Sequence, residues 1–390
     1  MIDSAINATA YHEGVAPNLA KRTKSSYLTS PSKNGHHPAK RLPRRAAIDS
    51  ELRIALCGLG RAAMGLLNRE VLGMKHVRVV GVFDLLRDRT DALAAKLGCK
   101  IYNSFAELLA DPEVELAVIA TRSVEHTPMA IEALRSGKHV LVEKPMGVNL
   151  KQVERLLKVA GQSRGRLFVR HNRRFDPPFL QTREIIESGK LGEVFQIALR
   201  VHKFQMRNDW QTLKCFGGGQ LLNWGPHVVD WGLQLLGSPV ADMWSDLKRI
   251  AAVGDAEDTI KLLLRGENGR VVDIEISDAV AIAQPAWVVY GSRGTLVIDG
   301  DTCKLKYLHP RLKLNVHADA TTPSCTGGYA GPAKLEWIEE EFAVAPKKPT
   351  KYFVELYKTL KGDSEFPVTL EQARENLRIL AKARRGTEFA

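Results

Sequence analysis

The sequence predicts an α/β fold in two domains, a doubly wound parallel sheet followed by a domain built on a second sheet. Three observations carry this. Short apolar runs alternate with helix-length segments from residue 52 to about 170. A glycine-rich turn, Gly58-Leu59-Gly60-Arg61-Ala62-Ala63, joins the first run to the first helix, and after Asn172 the strict alternation stops. At 390 residues the chain is long enough for two or three domains of about 150 residues, each burying its own core.

The runs at 52–57, 77–83, 116–120, 139–142 and 166–170 have the length of strands and little polar content. Segments with helical character separate them, from 61 to about 72, then at 87–97, 127–135 and 150–161. Such alternation indicates parallel strands covered on both faces by their crossover helices. Beyond Asn172 the order becomes a helix at 178–188, a strand at 194–201, a helix at about 221–236 and several apolar or alternating runs between 240 and 308. Helices near 352–360 and 370–384 complete the chain. The organisation expected is an extension over 1–50, a first domain over 51–172 and a second over 173–390 that includes C-terminal helices within 349–386.

The glycine turn has the order that dinucleotide binding requires. Gly58 allows the tight turn after the strand, Gly60 lets the backbone approach a pyrophosphate, and Ala63 is small enough for the helix to pack on the sheet. Arg61 and Ala62 then lie in the first helical turn, where unpaired N–H groups and the helix dipole favour phosphate. Asp84 ends the second run, 24 residues after Gly60, where a carboxylate accepts hydrogen bonds from ribose hydroxyls and favours NAD. Arg61 and Arg87 stand near enough in sequence to soften repulsion of a 2′-phosphate, so NADP remains open. The alternatives are a purely structural turn and, for Asp84, a solvated loop position.

The formal net charge of +12 raises polyanion binding as a function. Residues 1–50 carry eight basic side chains against three acidic ones, and this segment has no helical or strand period. It reads as a disordered extension. Its single aromatic near the cations, Tyr27, does not suggest a base-stacking groove, so no nucleic-acid partner is expected. No run approaches the roughly 18 apolar residues of a membrane span, and no apolar segment of about 7–15 residues follows the basic ones as in a secretory signal. Cys57, Cys99, Cys215, Cys303 and Cys325 are odd in number and scattered, with no Cys-x-x-Cys pair. Neither a disulfide framework nor a metal site is expected, and a reducing cytoplasm is the expected location.

Glu143-Lys144-Pro145 follows the run at 139–142, at the strand edge where doubly wound sheets bind ligands. Read alone, such a pair on a loop is usually a solvated ion pair. The glycine turn, Asp84, Gly137-Lys-His-Val-Leu-Val-Glu-Lys-Pro145, Asn172-Arg-Arg-Phe-Asp-Pro177, Gly189-Lys-Leu-Gly-Glu193, Gly217-Gly-Gly219 through Asn223 and His227, and Pro367-Val-Thr-Leu-Glu371 together resemble the Gfo/Idh/MocA oxidoreductase family. The resemblance runs from about 52 to 388. It implies an N-terminal Rossmann domain, a second α/β domain whose open, mostly antiparallel sheet makes subunit contacts, and a homodimer or homotetramer.

The resemblance further implies that Lys144 lies beside the nicotinamide and works with His227 and Asn223 on a sugar, cyclitol or related polyol. Oxidising a secondary alcohol removes a hydroxyl proton as hydride leaves carbon, so a neutral imidazole accepts the proton and a cationic lysine stabilises the alkoxide. Asn223 stands where the family more often has a carboxylate, and an amide positions rather than titrates. Asn223 and His227, four apart, share a face if the helix runs through Pro226, which can instead kink or start it. The competing reading of His227 is a core histidine paired with Asp230. Glu143, Thr121, His126 and Asn172 are expected on the cofactor side, and Arg174 and Trp210 on the substrate side. Thr121 is followed by Arg122-Ser123 where the family has Pro-Asn. Redox-assisted glycoside cleavage and a non-catalytic NAD or sugar sensor are the alternative functions.

Overall fold

The computed structural model describes residues 51–314, 335–345 and 352–390. The expected extension at 1–50 and Cys325 lie outside them. The first domain opens with β1 (Leu52–Cys57), the glycine turn and α1 (Arg61–Leu66), which runs on as a π-helical turn over Leu67–Val71. Then come β2 (Val77–Phe83), α2 (Arg87–Leu97), a two-residue β3 (Lys100–Ile101), α3 (Phe105–Ala110), β4 (Leu116–Ile119), α4 (Ser123–Arg135), β5 (His139–Val142), α5 (Leu150–Gln162) and β6 (Leu167–Val169). All pairings are parallel, in the order β3-β2-β1-β4-β5-β6. The order reverses between β1 and β4, so the crevice at their C-terminal ends is the ligand position of a doubly wound sheet.

Period-2 alternation sends Ile54 and Leu56 to one face of this sheet and Ala55 and Cys57 to the other. The first face packs on Leu66, Leu67 and Val71, and also on Tyr352, Phe353, Leu356 and Leu360 of the C-terminal half. The second face packs on Leu108, Leu134, Val153 and Leu156 and continues without a break into the second domain's core.

A 3₁₀ turn (Asn172–Phe175) and α6 (Pro177–Glu187) lead into β7 (Val194–His202). The chain continues through two short 3₁₀ turns (Trp210–Thr212, Lys214–Phe216), α7 (Gln220–Asn223) and α8 (Gly225–Leu236). Strands β8 (Val240–Lys248), β9 (Thr259–Gly266), β10 (Val271–Ser277), β11 (Trp287–Gly291), β12 (Gly294–Asp299), β13 (Thr302–Leu308) and β14 (Trp337–Ala343) follow, then α9 (Tyr352–Lys361) and α10 (Leu370–Arg384). The second sheet has the order β14-β13-β12-β11-β7-β10-β9-β8 and is antiparallel except for β7 with β10. The alternating buried residues Ile260, Leu262 and Leu264 on β9 and Val272, Ile274 and Ile276 on β10 turn one face toward α8. The other face carries Arg200, Lys261, Asp273 and Glu275, with Lys261 Nζ 2.7 Å from Asp273 and 3.0 Å from Glu275.

Three expectations are corrected. The helix expected at about 221–236 is two helices broken at Trp224, because Pro226 cannot donate into a preceding turn and instead sits in the first turn of α8. Helix α9, expected in the second domain, packs on the first sheet, where the Tyr352 hydroxyl donates to the Val169 carbonyl at 2.6 Å. Strands β3 and β14 were not anticipated: β3 is too short to show a period, and in β14 three consecutive glutamates mask the alternation. Glu339 and Glu341 pair with Lys306 and Lys304 of β13 at 2.6 and 3.7 Å, and Glu340 with Lys190 at 2.8 Å.

Candidate active site

A cleft of about 840 Å³ opens at the crevice beside β1 and β4. Gly58 has φ +81°, and a Cβ there would lie 2.8 Å from the Ala120 carbonyl oxygen, so the turn admits only glycine without displacement. A Cβ on Gly60 would meet nothing within 4 Å, which is the open approach a pyrophosphate needs. Arg61 and Ala62 are exposed at the start of α1, which has no side-chain cap on its first N–H groups, while Ala63 is buried against the sheet. Together these residues fit a dinucleotide's phosphates.

Asp84 immediately follows β2 and lines the same cleft. Its two oxygens accept from the Leu59 and Leu86 N–H groups at 2.6 and 2.9 Å, which orient the carboxylate and leave each oxygen a lone pair for ribose. Arg89 lies 3.7 Å from Asp84 and lines the cleft. The expected neighbour, Arg87, points elsewhere: it pairs with Asp91 at 2.9 Å and donates to Asn103 at 3.2 Å. Helical spacing explains the exchange, since the two residues lie two apart on α2 and face different sides.

The loops after β4 and β5 are tied by His126. Its Nδ1 is 2.7 Å from the Pro145 carbonyl oxygen and its Nε2 is 3.2 Å from that of Thr121. Burial pushes its proton affinity down, against the opposing pull of the two carbonyls and of Glu143. Thr121 and His126 both line the cleft. Arg122, at the position that departs from the family pattern, lays its guanidinium 4.2 Å from the centre of the Phe216 ring, a contact from the first domain to the second.

Lys144 is the point where the two halves of the cleft meet. Its Nζ donates to the Asn223 carbonyl oxygen at 2.6 Å and stands 3.4 Å from Asn223 Oδ1. Burial is the main influence on it, with the charges of Arg173, Arg170 and Arg61 acting in the same direction and Glu143 opposing, and its pKa falls to about 8. The Glu143 carboxylate is not free: Oε1 accepts from Arg170 at 2.6 Å and Oε2 from the Lys144 N–H at 3.3 Å. Gln211, beside Trp210, completes the wall, reaching Arg61 at 3.2 Å through its oxygen and Asn223 Oδ1 at 3.5 Å through its nitrogen. Gln211 carried no recognisable signal in the sequence.

His227 is buried in the first turn of α8, edge-on to Trp224 at 6.0 Å between ring centres. Its Nδ1 has no hydrogen-bond partner among the described residues. Desolvation, aided by Lys144, Arg173, His171 and Arg170, holds its pKa well below the ordinary 6.5, so the imidazole is neutral. The break at Trp224 means that Asn223 and His227 lie on successive helices rather than on one face. His227 and Asn172 fall outside the residues that line the cleft, Asn172 opening the 3₁₀ turn instead.

The core pairing considered for His227 is absent, because Asp230 is taken by Arg174. The Arg174 guanidinium grips Asp230 at 2.7 and 2.6 Å and also donates to the Pro367 carbonyl at 3.0 Å and Gln372 at 2.7 Å. Expected on the substrate side, Arg174 is thus a buried clamp between α8 and the segment leading into α10. Among the described residues no cluster of three or more His, Cys, Asp or Glu could hold a metal ion, and no helix is long and apolar enough to cross a membrane.

Comparison with known proteins agrees with this geometry. An uncharacterized oxidoreductase of Escherichia coli, YdgJ, is 32% identical over 279 residues, covering 70% of this chain and 79% of its own. Myo-inositol 2-dehydrogenase of Thermotoga maritima is 28% identical over 256 residues, 64% of this chain and 75% of that one. The crystal structure of an NAD-binding protein from Listeria innocua superposes with a TM-score of 0.72 at 28% identity, covering 86% of this chain and 96% of the other. Residues 52–171 match the oxidoreductase family with an NAD-binding Rossmann fold, residues 179–297 match the GFO/IDH/MocA C-terminal domain, and the chain is a member of the Gfo/Idh/MocA oxidoreductase family.

Proposed function

We propose that this protein is an NAD(P)-dependent dehydrogenase or reductase acting on a secondary hydroxyl or carbonyl of a cyclitol, sugar or related polyol. The observation that carries the reading is the Lys144 ammonium bonded to the helix break at Asn223, within electrostatic reach of a neutral buried histidine whose Nδ1 has no hydrogen-bond partner among the described residues. The inositol dehydrogenase among the relatives supports the substrate class. The bound nicotinamide supplies a hydride acceptor or donor. His227 takes the hydroxyl proton as the carbon is oxidised, and Lys144 donates a hydrogen bond to the developing alkoxide. Asn223 holds the lysine and, through its amide, the substrate. Gly58, Gly60, Arg61 and Ala62 receive the phosphates, Asp84 the ribose, and Trp210 and Gln211 close the substrate side. Asp84 favours NAD, while Arg89 provides a cation for NADP.

The same reading assigns the open face of the second sheet to self-association as a homodimer or homotetramer. In its support, strand register puts the exposed Trp244, Tyr290 and Trp337 on that face. The described cysteines are free, in keeping with a cytoplasmic location.

Incubation with NAD or NADP and a panel of inositols, sugars, sugar acids and glycosides, followed at the absorbance of the reduced nicotinamide, tests the reading. Reduction of the cofactor by a free polyol is expected. Release of sugar from glycosides without net absorbance change would instead establish the redox-assisted cleavage.

A further inference from the structure

Behind Lys144 lies a buried chain of charges that the reaction above does not use. The guanidinium of Arg170, at the end of β6, forks between two carboxylates: one nitrogen donates to Glu143 Oε1 at 2.6 Å and another to Glu70. All three residues are more than nine-tenths buried. Glu70 lies in the π-helical turn that continues α1, the helix whose N-terminus faces the cofactor phosphates. In that turn Leu67, Glu70 and Val71 point inward while Asn68 and Arg69 are exposed. Single π turns inside helices recur at functional sites.

A lone buried Glu143–Arg170 pair would neutralise itself and leave the neighbouring lysine without a counter-charge. With Glu70 included, the set Glu70, Arg170, Glu143 and Lys144 carries two negative and two positive charges and is balanced. Burial of such a set costs free energy that direct packing would not, so its retention is a question about charge rather than about stability.

We propose that Glu70 is a positioning residue for Lys144: by sharing the charge of Arg170, it leaves the Glu143 carboxylate, whose Oε2 also accepts from the Lys144 main-chain N–H, with the negative charge that keeps the neighbouring ammonium charged. The inference rests on Lys144 as the electrostatic partner of the substrate oxygen. Besides Glu143, the groups facing Lys144 are Arg61 from α1, Arg170 and Arg173 from the end of β6 and the turn after it, and the buried imidazoles of His126, His171 and His227. Glu143 is the one anion among these, and Arg170 is the cation that competes for it. Removing the Glu70 charge therefore lowers the proton affinity of Lys144. Removing the Arg170 charge raises it.

The test compares Glu70→Gln, Glu70→Asp and Arg170→Met in the full-length enzyme. Two readouts are taken: the alkaline limb of kcat/KM for polyol oxidation, and the pH dependence of Lys144 labelling by an amine-selective acylating reagent, quantified by mass spectrometry. Glu70→Gln is expected to move both to lower pH by about one pH unit, Glu70→Asp to restore them, and Arg170→Met to move them the opposite way. A merely structural role would not reverse sign between the variants. Should Arg170→Met fail to fold, the Gln and Asp pair decides alone. Wild-type labelling and an unmoved limb in Glu70→Gln would overturn the inference. A shift in labelling with no shift in the rate limb would support it and contradict the catalytic role of Lys144.

Discussion

The Lys144 ammonium donates to the Asn223 main-chain carbonyl at 2.6 Å, so the end of β5 in the first domain and the break between α7 and α8 in the second are held by one hydrogen bond. A helix without that break would satisfy the carbonyl internally and offer the lysine nothing. Pro226 is therefore part of the site without touching substrate. At the break it imposes, the His227 N–H bonds the Trp224 carbonyl at 2.9 Å, which leaves the Asn223 carbonyl to the amine.

The pH profile of oxidation follows from the two displaced titrations. His227 accepts a proton only when neutral, and its pKa lies well below 6.5, so the acid limb of kcat/KM falls below pH 6.5. Lys144 acts only when charged, and its charge is lost as pH rises through about 8. A bell with its plateau between these limbs is expected from initial rates at saturating NAD. In His227→Gln the acid limb disappears and kcat drops by about 10²–10⁴-fold.

On the proposed reading, cofactor preference is set at Asp84 and Arg89. Asp84→Ala removes the ribose acceptor and frees Arg89 for a 2′-phosphate, so the KM for NAD rises about tenfold while that for NADP falls. Adding Arg89→Ala to the first substitution removes the gain toward NADP. Steady-state kinetics with both cofactors measure each term.

The clamp at Arg174 is a stability element. Truncation to Ala leaves the Asp230 carboxylate buried without its two guanidinium bonds and unties the segment at Pro367 and Gln372. Urea unfolding is expected to show a loss of about 3–5 kcal/mol, with NAD affinity in the folded fraction unchanged. Arg174→Lys keeps the charge but not the fork, and recovers only part of the loss.

Much of this was legible in the sequence because local physics dictates it. Gly58, Gly60, Ala63 and Asp84 announce a dinucleotide turn by residue type and spacing, and alternating runs announce the first sheet. What stayed hidden depends on contacts far apart in the chain. Nothing near Glu70 or Arg170 signals that residues 100 apart meet in the interior. Nothing near Tyr352 shows that α9 returns to the first sheet. Arg174 reads as a substrate residue and Asp230 as a core partner of His227, and only the packing of α8 on the 3₁₀ turn shows that they bind each other. Arg87 and Arg89 were separable only once the rotation of α2 was known.

The central claim, that Lys144 serves the chemical step rather than cofactor binding, is tested most directly by Lys144→Ala. Turnover with the best polyol of the panel is measured alongside a fluorescence titration of NAD. The account predicts a fall in kcat of at least about 10²-fold with NAD affinity within about threefold of wild type. Activity that survives the substitution, or a loss explained wholly by weakened NAD binding, would contradict it.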